Sequence, residues 1–192
     1  GTFQSHGTKI LSVSGDCVRP GIYEVDFGTT LQSLLDEAGG ADAMAVQVGG
    51  PSGTCVSRKD FGKKISFEEL PTGGSIIIIG PHRDLLSIVR NFMDFFVEES
   101  CGWCVPCRAG NLLLKQRLEK IMAGKGTVSD LNELIQWCGI VKAMSRCGLG
   151  QTSPNPIVTT IENFRDVYEA KLRKDTDYVP EFDLGRAVQE YC

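Results

Sequence analysis

Apolar positions along this chain change their period near residue 83. From Gly7 to Pro81 they alternate or run in short blocks, whereas from Asp84 to Leu172 they recur every three or four residues. In the first half, Lys9–Ser14 (KILSVS) and Gly21–Val25 (GIYEV) alternate as half-buried strands do, with Asp16 to Gly21 as their turn. Thr29 or Thr30 then caps a short helix over Leu31–Glu37, closed by Gly39-Gly40. Ala45–Val48 and Ser75–Ile79 read as further strands, the second apolar enough for a central place in a sheet. Strand, strand, helix and more strands is the order of a β-grasp-like α+β domain.

Four helices follow. Leu85, Leu86, Ile88, Val89, Phe92, Met93, Phe95 and Phe96 make the first apolar on most sides and so mostly buried. Leu114, Leu118, Ile121 and Met122 mark a second, ended by Gly124. Ser129-Asp130 starts a third, with Leu131, Leu134, Ile135, Trp137, Cys138, Val141 and Met144 expected to face inward. Asn155, followed by Pro156 at the first helical position, opens a fourth whose stripe is Ile157, Ile161, Phe164, Tyr168 and Leu172. The expected fold class is therefore α+β: a linker over 1–6, a β-grasp-like domain over 7–82, an all-α four-helix bundle over 83–172, and a tail over 173–192. The tail has one short amphipathic stretch, suited to packing on a neighbour.

At 192 residues and 42% hydrophobic, the chain can bury a real core. Its formal net charge is −4, with Lys and Arg scattered among Asp and Glu. No basic stripe is present, which argues against nucleic acid as a partner. The apolar run Ile76–Ile79 falls far short of the ~20 residues that span a bilayer. Gly1 to Ile10 has no apolar core of a signal peptide, so a cytoplasmic location is expected. A chain that opens on Gly1 without an initiator Met reads as a piece of a longer polypeptide.

Eight cysteines change the picture. Were the protein secreted, an even number would suggest disulfides, but three fall within seven residues and the others are spread singly. Cys101, Cys104 and Cys107 are separated by two-residue gaps, which let three thiolates converge on a small iron–sulfur cluster while intervening amides turn toward its sulfurs. A fourth ligand is needed. The bacterial ferredoxin run would place it after three intervening residues, four positions beyond the third, and that position is Asn111. In an up-and-down bundle, the loops after the first and third helices share one end, and Cys147 lies in the latter. Cys138 sits mid-helix about two turns earlier, beside Trp137 and Val141, and should point into the core. Cys147 is therefore the expected fourth ligand.

Zinc is the alternative metal, as a staple for an interaction module, but structural zinc usually pairs two short hairpins and no second Cys-x2-Cys follows. His6 and His82 are remote in sequence. Thiol redox catalysis lacks its surrounding βαβ pattern. Arg108, at the start of a helix, would favour a more negative cluster and raise its potential, while Glu98 and Glu99 would act oppositely. Cys17, Cys55 and Cys192 read as ordinary isolated thiols, and Gly49-Gly50-Pro51-Ser52-Gly53 and Gly73-Gly74 as turns.

Glu98–Gly110 (EESCGWCVPCRAG) and Ser145–Pro156 (SRCGLGQTSPNP) resemble the C-terminal part of the family of NADH-binding flavoprotein subunits of respiratory complex I. The resemblance is closer to the diaphorase flavoprotein subunit of NAD-reducing [NiFe] hydrogenases, with NAD-dependent formate dehydrogenase and complex I subunits as alternatives. Gly7–Val25 and Ala45–Gly53 are similar to that subunit's soluble-ligand-binding β-grasp domain. The resemblance implies a [4Fe–4S] cluster on Cys101, Cys104, Cys107 and Cys147 that receives electrons singly from FMN. It also implies partners: an upstream domain that binds FMN and NAD, and iron–sulfur or hydrogenase subunits. The upstream domain has no counterpart in these 192 residues, so NADH oxidation by this chain alone is not expected.

Overall fold

The computed structural model describes residues 1–173; the tail from residue 174 on, with Cys192, lies outside the described residues. Strands β1 (Thr8–Gly15) and β2 (Gly21–Asp26) form an antiparallel pair. Helix α1 (Leu31–Ala38) follows, with the Thr30 hydroxyl accepting from Ser33 N–H and Gly39 closing it at φ 72°. That left-handed backbone suits glycine, which has no Cβ to clash. Strands β3 (Ala45–Val48) and β4 (Thr54–Ser57) make a second antiparallel pair around the glycine-rich turn. Strand β5 (Ser75–Ile79) then enters between β1 and β3, parallel to the first and antiparallel to the second. The order β2-β1-β5-β3-β4 gives β5 the central place its apolar run called for.

Because side chains alternate across a strand, the two faces of this sheet bury different sets. Leu11, Val13, Val46, Ile76 and Ile78 pack with Leu31, Leu34 and Leu35 of α1. Ala45, Cys55 and Ile79, of opposite parity, form a smaller seam with Leu85, Ile88 and Phe164 from the helical part.

That part comprises α2 (Leu85–Glu98), α3 (Val105–Met122), α4 (Val128–Met144), a short α5 (Gly148–Thr152), α6 (Asn155–Asn163) and α7 (Arg165–Glu169). Asp84 caps α2 by accepting from Leu86 N–H. Helix α4 begins earlier than the sequence suggested: Thr127 is its N-cap and Asp130 returns the bond to Thr127 N–H, a reciprocal capping box. Its buried stripe is Leu131, Leu134, Cys138 and Val141, at 3-4-3 spacing. Ile135, Trp137 and Met144, expected inward, are exposed, because one packed stripe takes less than half of a helix that is apolar on more than one side. Phe95 is likewise exposed on α2.

The expected fourth helix is interrupted. Phe164 leaves the helical region (φ −142°, ψ 43°) to fill the seam against the sheet, and the chain re-enters the helical core with Tyr168. Pro154, not Asn155, occupies the N-cap, and the Asn155 amide is free to donate to Ser52 O across to the sheet (2.7 Å). No helix among the described residues is long and apolar enough to cross a membrane.

Helix α6 also closes the open edge of the sheet. At Cys55 of edge strand β4, the N–H donates to Thr159 Oγ1 (3.0 Å) and the C=O accepts from Asn163 Nδ2 (3.0 Å). Two side chains four residues apart on one helix face thereby serve the backbone groups a further strand would have served. Ser57 Oγ donates to Asn163 Oδ1 (3.2 Å), which fixes the amide's orientation. Replacing Asn163 with Ala removes both bonds and leaves the Cys55 carbonyl without its partner. The expected loss is about 1–3 kcal/mol, read from urea unfolding against the exposed control Arg165→Ala.

Candidate iron–sulfur site

The loop from Glu99 to Cys104 joins α2 to α3, and the turn from Ser145 to Cys147 joins α4 to α5. Cys104 is the N-cap of α3, Cys107 lies in that helix's first turn, and Cys147 is the N-cap of α5. Gly102, at φ 76°, turns the loop back on itself, and Arg108 Nη1 donates to Gly102 O (3.2 Å), tying the first turn of α3 to the segment between Cys101 and Cys104.

In the structure Cys101, Cys104 and Cys147 all lie near enough to Cys107 for their charges to act on it. Cys107 is buried, and its thiol pKa is raised by that burial and further by the neighbouring charges of Cys104, Cys147 and Cys101, while Ser100 opposes the shift. Cys104 shifts the other way. The backbone N–H of Arg146 faces its sulfur, and the N–H of Cys107 and the charge of Arg146 add to the effect, so its pKa is lowered. Cys101 and Cys147 are exposed. Cys138 is buried in the helical core, where burial pushes its pKa up to about 12, and it does not join the group. Cys55, read as an ordinary thiol, is the buried centre of the seam, also pushed up to about 12 by burial.

Several polar residues around the thiols were not singled out by the sequence. Ser100 Oγ lies 3.3 Å from Cys107 Sγ. Asn111 Nδ2 donates to the same sulfur (3.4 Å), and Ser153 Oγ donates to Asn111 Oδ1 (2.6 Å). Ser145 Oγ is buried and has no hydrogen-bond partner among the described residues. The signal that could have found Asn111 is its register. A polar residue four positions after Cys107 falls on the apolar stripe of α3, with Leu114 and Leu118.

Space around Cys107 is also set by glycine. A Cβ added to Gly150 would lie 2.5 Å from Ser145 Oγ and 3.0 Å from Cys107 Cβ, closer than van der Waals contact permits. Among the described residues no three His, Cys, Asp or Glu side chains are arranged to hold a single metal ion. A lone tetrahedral zinc, at ~2.3 Å from each sulfur, needs such a tight group. The irons and sulfides of a cluster keep its thiolates further apart. Four thiols, amide and hydroxyl donors turned toward them, and a buried hydroxyl still in need of an acceptor fit an iron–sulfur group.

Comparison with known proteins agrees with this chemistry. Residues 87–171 match the NADH-ubiquinone oxidoreductase-F iron-sulfur binding region. The whole chain is 51% identical to the NAD-reducing hydrogenase HoxS subunit alpha of Cupriavidus necator, of which it covers 32%. It is 31% identical, over 88% of its length, to a subunit of NADH-quinone oxidoreductase from Escherichia coli strain K12, covering 40% of that protein. A crystal structure of an NAD+-reducing [NiFe]-hydrogenase in the H2-reduced state superposes over the full chain with a TM-score of 0.89 and 37% identity, covering 34% of the matched chain. The chain thus spans between about a third and two-fifths of the length of these relatives. The α+β fold and the thiol-rich end define an iron–sulfur-binding class of protein. Within it, residues 87–171 are similar to the NADH-ubiquinone oxidoreductase-F iron-sulfur binding region, and the chain as a whole to subunits of NAD-reducing hydrogenase and NADH-quinone oxidoreductase.

Burial and protonation together predict how the thiols react, since the thiolate is the nucleophile. In folded, metal-free protein near neutral pH, iodoacetamide should modify Cys101, Cys104 and Cys147 first. Cys55 and Cys138 should stay unmodified until denaturant is added. Peptide mass spectrometry reads the order, and early modification of Cys138 would contradict its place in the core.

Proposed function

We propose that this chain is the electron-relay portion of an NADH-linked oxidoreductase, of the diaphorase type found in NAD-reducing hydrogenases. Its relay runs between the FMN of an NADH-oxidising domain and the iron–sulfur centres of partner subunits. Cys101, Cys104, Cys107 and Cys147 would be the ligands of a [4Fe–4S] cluster. Such a cluster supplies one-electron redox chemistry, which NADH, a hydride donor, cannot itself deliver to a one-electron acceptor without a flavin. The observation that carries this reading is the meeting of three closely spaced thiols with a distant fourth at one end of the helices, within the residues that match this iron–sulfur binding region. The hydrogenase type is favoured over complex I by the higher identity, 51% against 31%.

The chain's own residues divide the work. Cys107, held from below by Gly150 and by the Asn111 and Ser100 donors, is the fixed, buried anchor. Cys104 is kept toward its thiolate form by the Arg146 amide. The cationic side chain of Arg108, bonded to Gly102 O, lies over the loop and favours added negative charge. Cys101 and Cys147 stand at the surface, within reach of a partner. Around them Trp103 (78% exposed), Val105 and Met144 (64% exposed) form an apolar rim, and a shallow groove between α3 and α4 continues it past Leu113, Trp137 and Ile140. Exposed apolar surface next to a redox site suits the approach of another protein. In the same reading, residues 7–82 are a β-grasp-like unit acting as an interface, and residues 83–172 are the four-helix iron–sulfur unit. FMN and NAD are assigned to a domain outside this chain.

Protein purified without oxygen should contain about four iron and four sulfide per chain, with visible absorbance that dithionite bleaches. Cys147→Ser should lose or convert the cluster, while Cys138→Ser should keep its iron. One equivalent of zinc without sulfide would overturn the assignment in favour of a structural staple. Joined to an FMN domain and partner subunits, the reduced centre should appear by electron paramagnetic resonance after addition of NADH. A reduced flavin beside a centre that stays oxidised would end the relay reading.

A further inference from the structure

Helix α3 carries a polar residue where its packing asks for an apolar one. Its buried positions are Cys107, Gly110, Asn111, Leu114, Leu118 and Ile121, and Asn111 is 0% exposed. An apolar side chain with the same branching, such as Leu, would suit this stripe without the cost of burying an amide, which is high when the amide finds no partner. Asn111 avoids that cost through two contacts. Residues four apart on a helix share a face, so its amide meets Cys107, with Nδ2 3.4 Å from Sγ. On the other side Oδ1 accepts from Ser153, 2.6 Å away.

The hydrogen bonds have a direction. Ser153 is itself 0% exposed, and its hydroxyl has one proton to donate. It has two carbonyl acceptors in reach, Asn111 Oδ1 at 2.6 Å and Gly150 O at 3.0 Å, and the shorter contact takes the proton. With its oxygen held by Ser153, the Asn111 amide can only turn its NH2 toward Cys107. A thiolate at Cys107 has lone pairs and no proton, so donors are what it needs, and Ser100 provides a second at 3.3 Å. Asn111 stands at the very spacing where a ferredoxin run places its fourth cysteine. Here that position gives the sulfur a donor in place of a ligand.

We propose that Asn111 is a positioning residue that donates to the Cys107 thiolate and raises the reduction potential of the iron–sulfur centre this thiolate would bind, with Ser153 orienting its amide. The proposal rests on Cys107 being a ligand, as argued above. Reduction adds negative charge that spreads onto the ligand sulfurs. A fixed donor at one of them stabilises the reduced state more than the oxidised one. In a buried setting the difference is larger than it would be in water.

The test is a redox titration of the full chain, prepared without oxygen and followed by electron paramagnetic resonance, with iron and sulfide measured on the same samples. Asn111→Leu removes the donor and keeps the branch at Cγ; Ser153→Ala leaves the donor but frees it to turn. Asn111→Leu should retain its iron and sulfide and lower the potential by about a tenfold change in the oxidised-to-reduced ratio, ~59 mV for one electron. Ser153→Ala should move it the same way by less. It also decides the matter should Asn111→Leu fail to fold. Full iron content with both potentials at the wild-type value would overturn the proposal and leave Asn111 a packing residue. A wild-type chain that binds no iron and sulfide would instead remove the ligand assignment, and this proposal with it.

Discussion

The approach of Gly150 to Cys107 is the contact on which the thiol-rich end depends. The segment that follows Cys147 can lie against the first turn of α3 only because residue 150 has no side chain, its Cβ being barred by Ser145 and Cys107 alike. A second glycine extends the same constraint. A Cβ at Gly110 would lie 2.4 Å from Val141 Cγ2, so α3 and α4 are also drawn close near this end. Two glycines thus bring an early loop and a late turn, some forty residues apart in sequence, to one place. Cys107 is held from two directions while Cys101 and Cys147 remain outside.

Charge reinforces the same geometry. Burial raises the Cys107 pKa most, and the charges of the three neighbouring thiols raise it further, since thiols in one region repel one another as they ionise. The helix starts after Cys104 and Cys147 turn amides toward this end, and Arg146 and Arg108 add positive charge beside it. Ser100 and Asn111 supply neutral donors at the one thiol too deep for solvent to help. Shape places the sulfurs, and the surrounding donors make their deprotonated forms tolerable.

Much of this could be read from the sequence because period and spacing are local properties. The alternation in β1 and β2, the apolar run of β5 and the Cys-x2-Cys-x2-Cys pattern each lie within a few residues and have few competing readings. What escaped depended on contacts between distant segments. Strand β4 (TCVS) is short and polar enough to pass for a turn, and it is a strand because β3 pairs with it and α6 serves its outer edge. The inward face of α4 was overdrawn because apolar residues surround it and only tertiary packing selects Leu131, Leu134, Cys138 and Val141. Phe164 looked helical by its spacing, yet the seam beside Met44 and Ile88 draws it out of the helix. Asn111 looked like the absence of a ligand, and its bond to Cys107 is visible only once Ser153 is brought beside it.

The service that α6 gives to strand β4 bears on how this protein can be taken apart. Thr159 and Asn163 satisfy backbone groups of Cys55 that a severed sheet would offer to any other strand. An engineer who cut the chain near residue 83 would release a sheet with a newly adhesive rim, prone to stack on its own copies. The helical remnant would also lose the floor on which Phe164 and Leu85 rest. Transplanting the cysteine-bearing helices into a new host therefore means carrying the sheet with them, or designing a substitute for its edge.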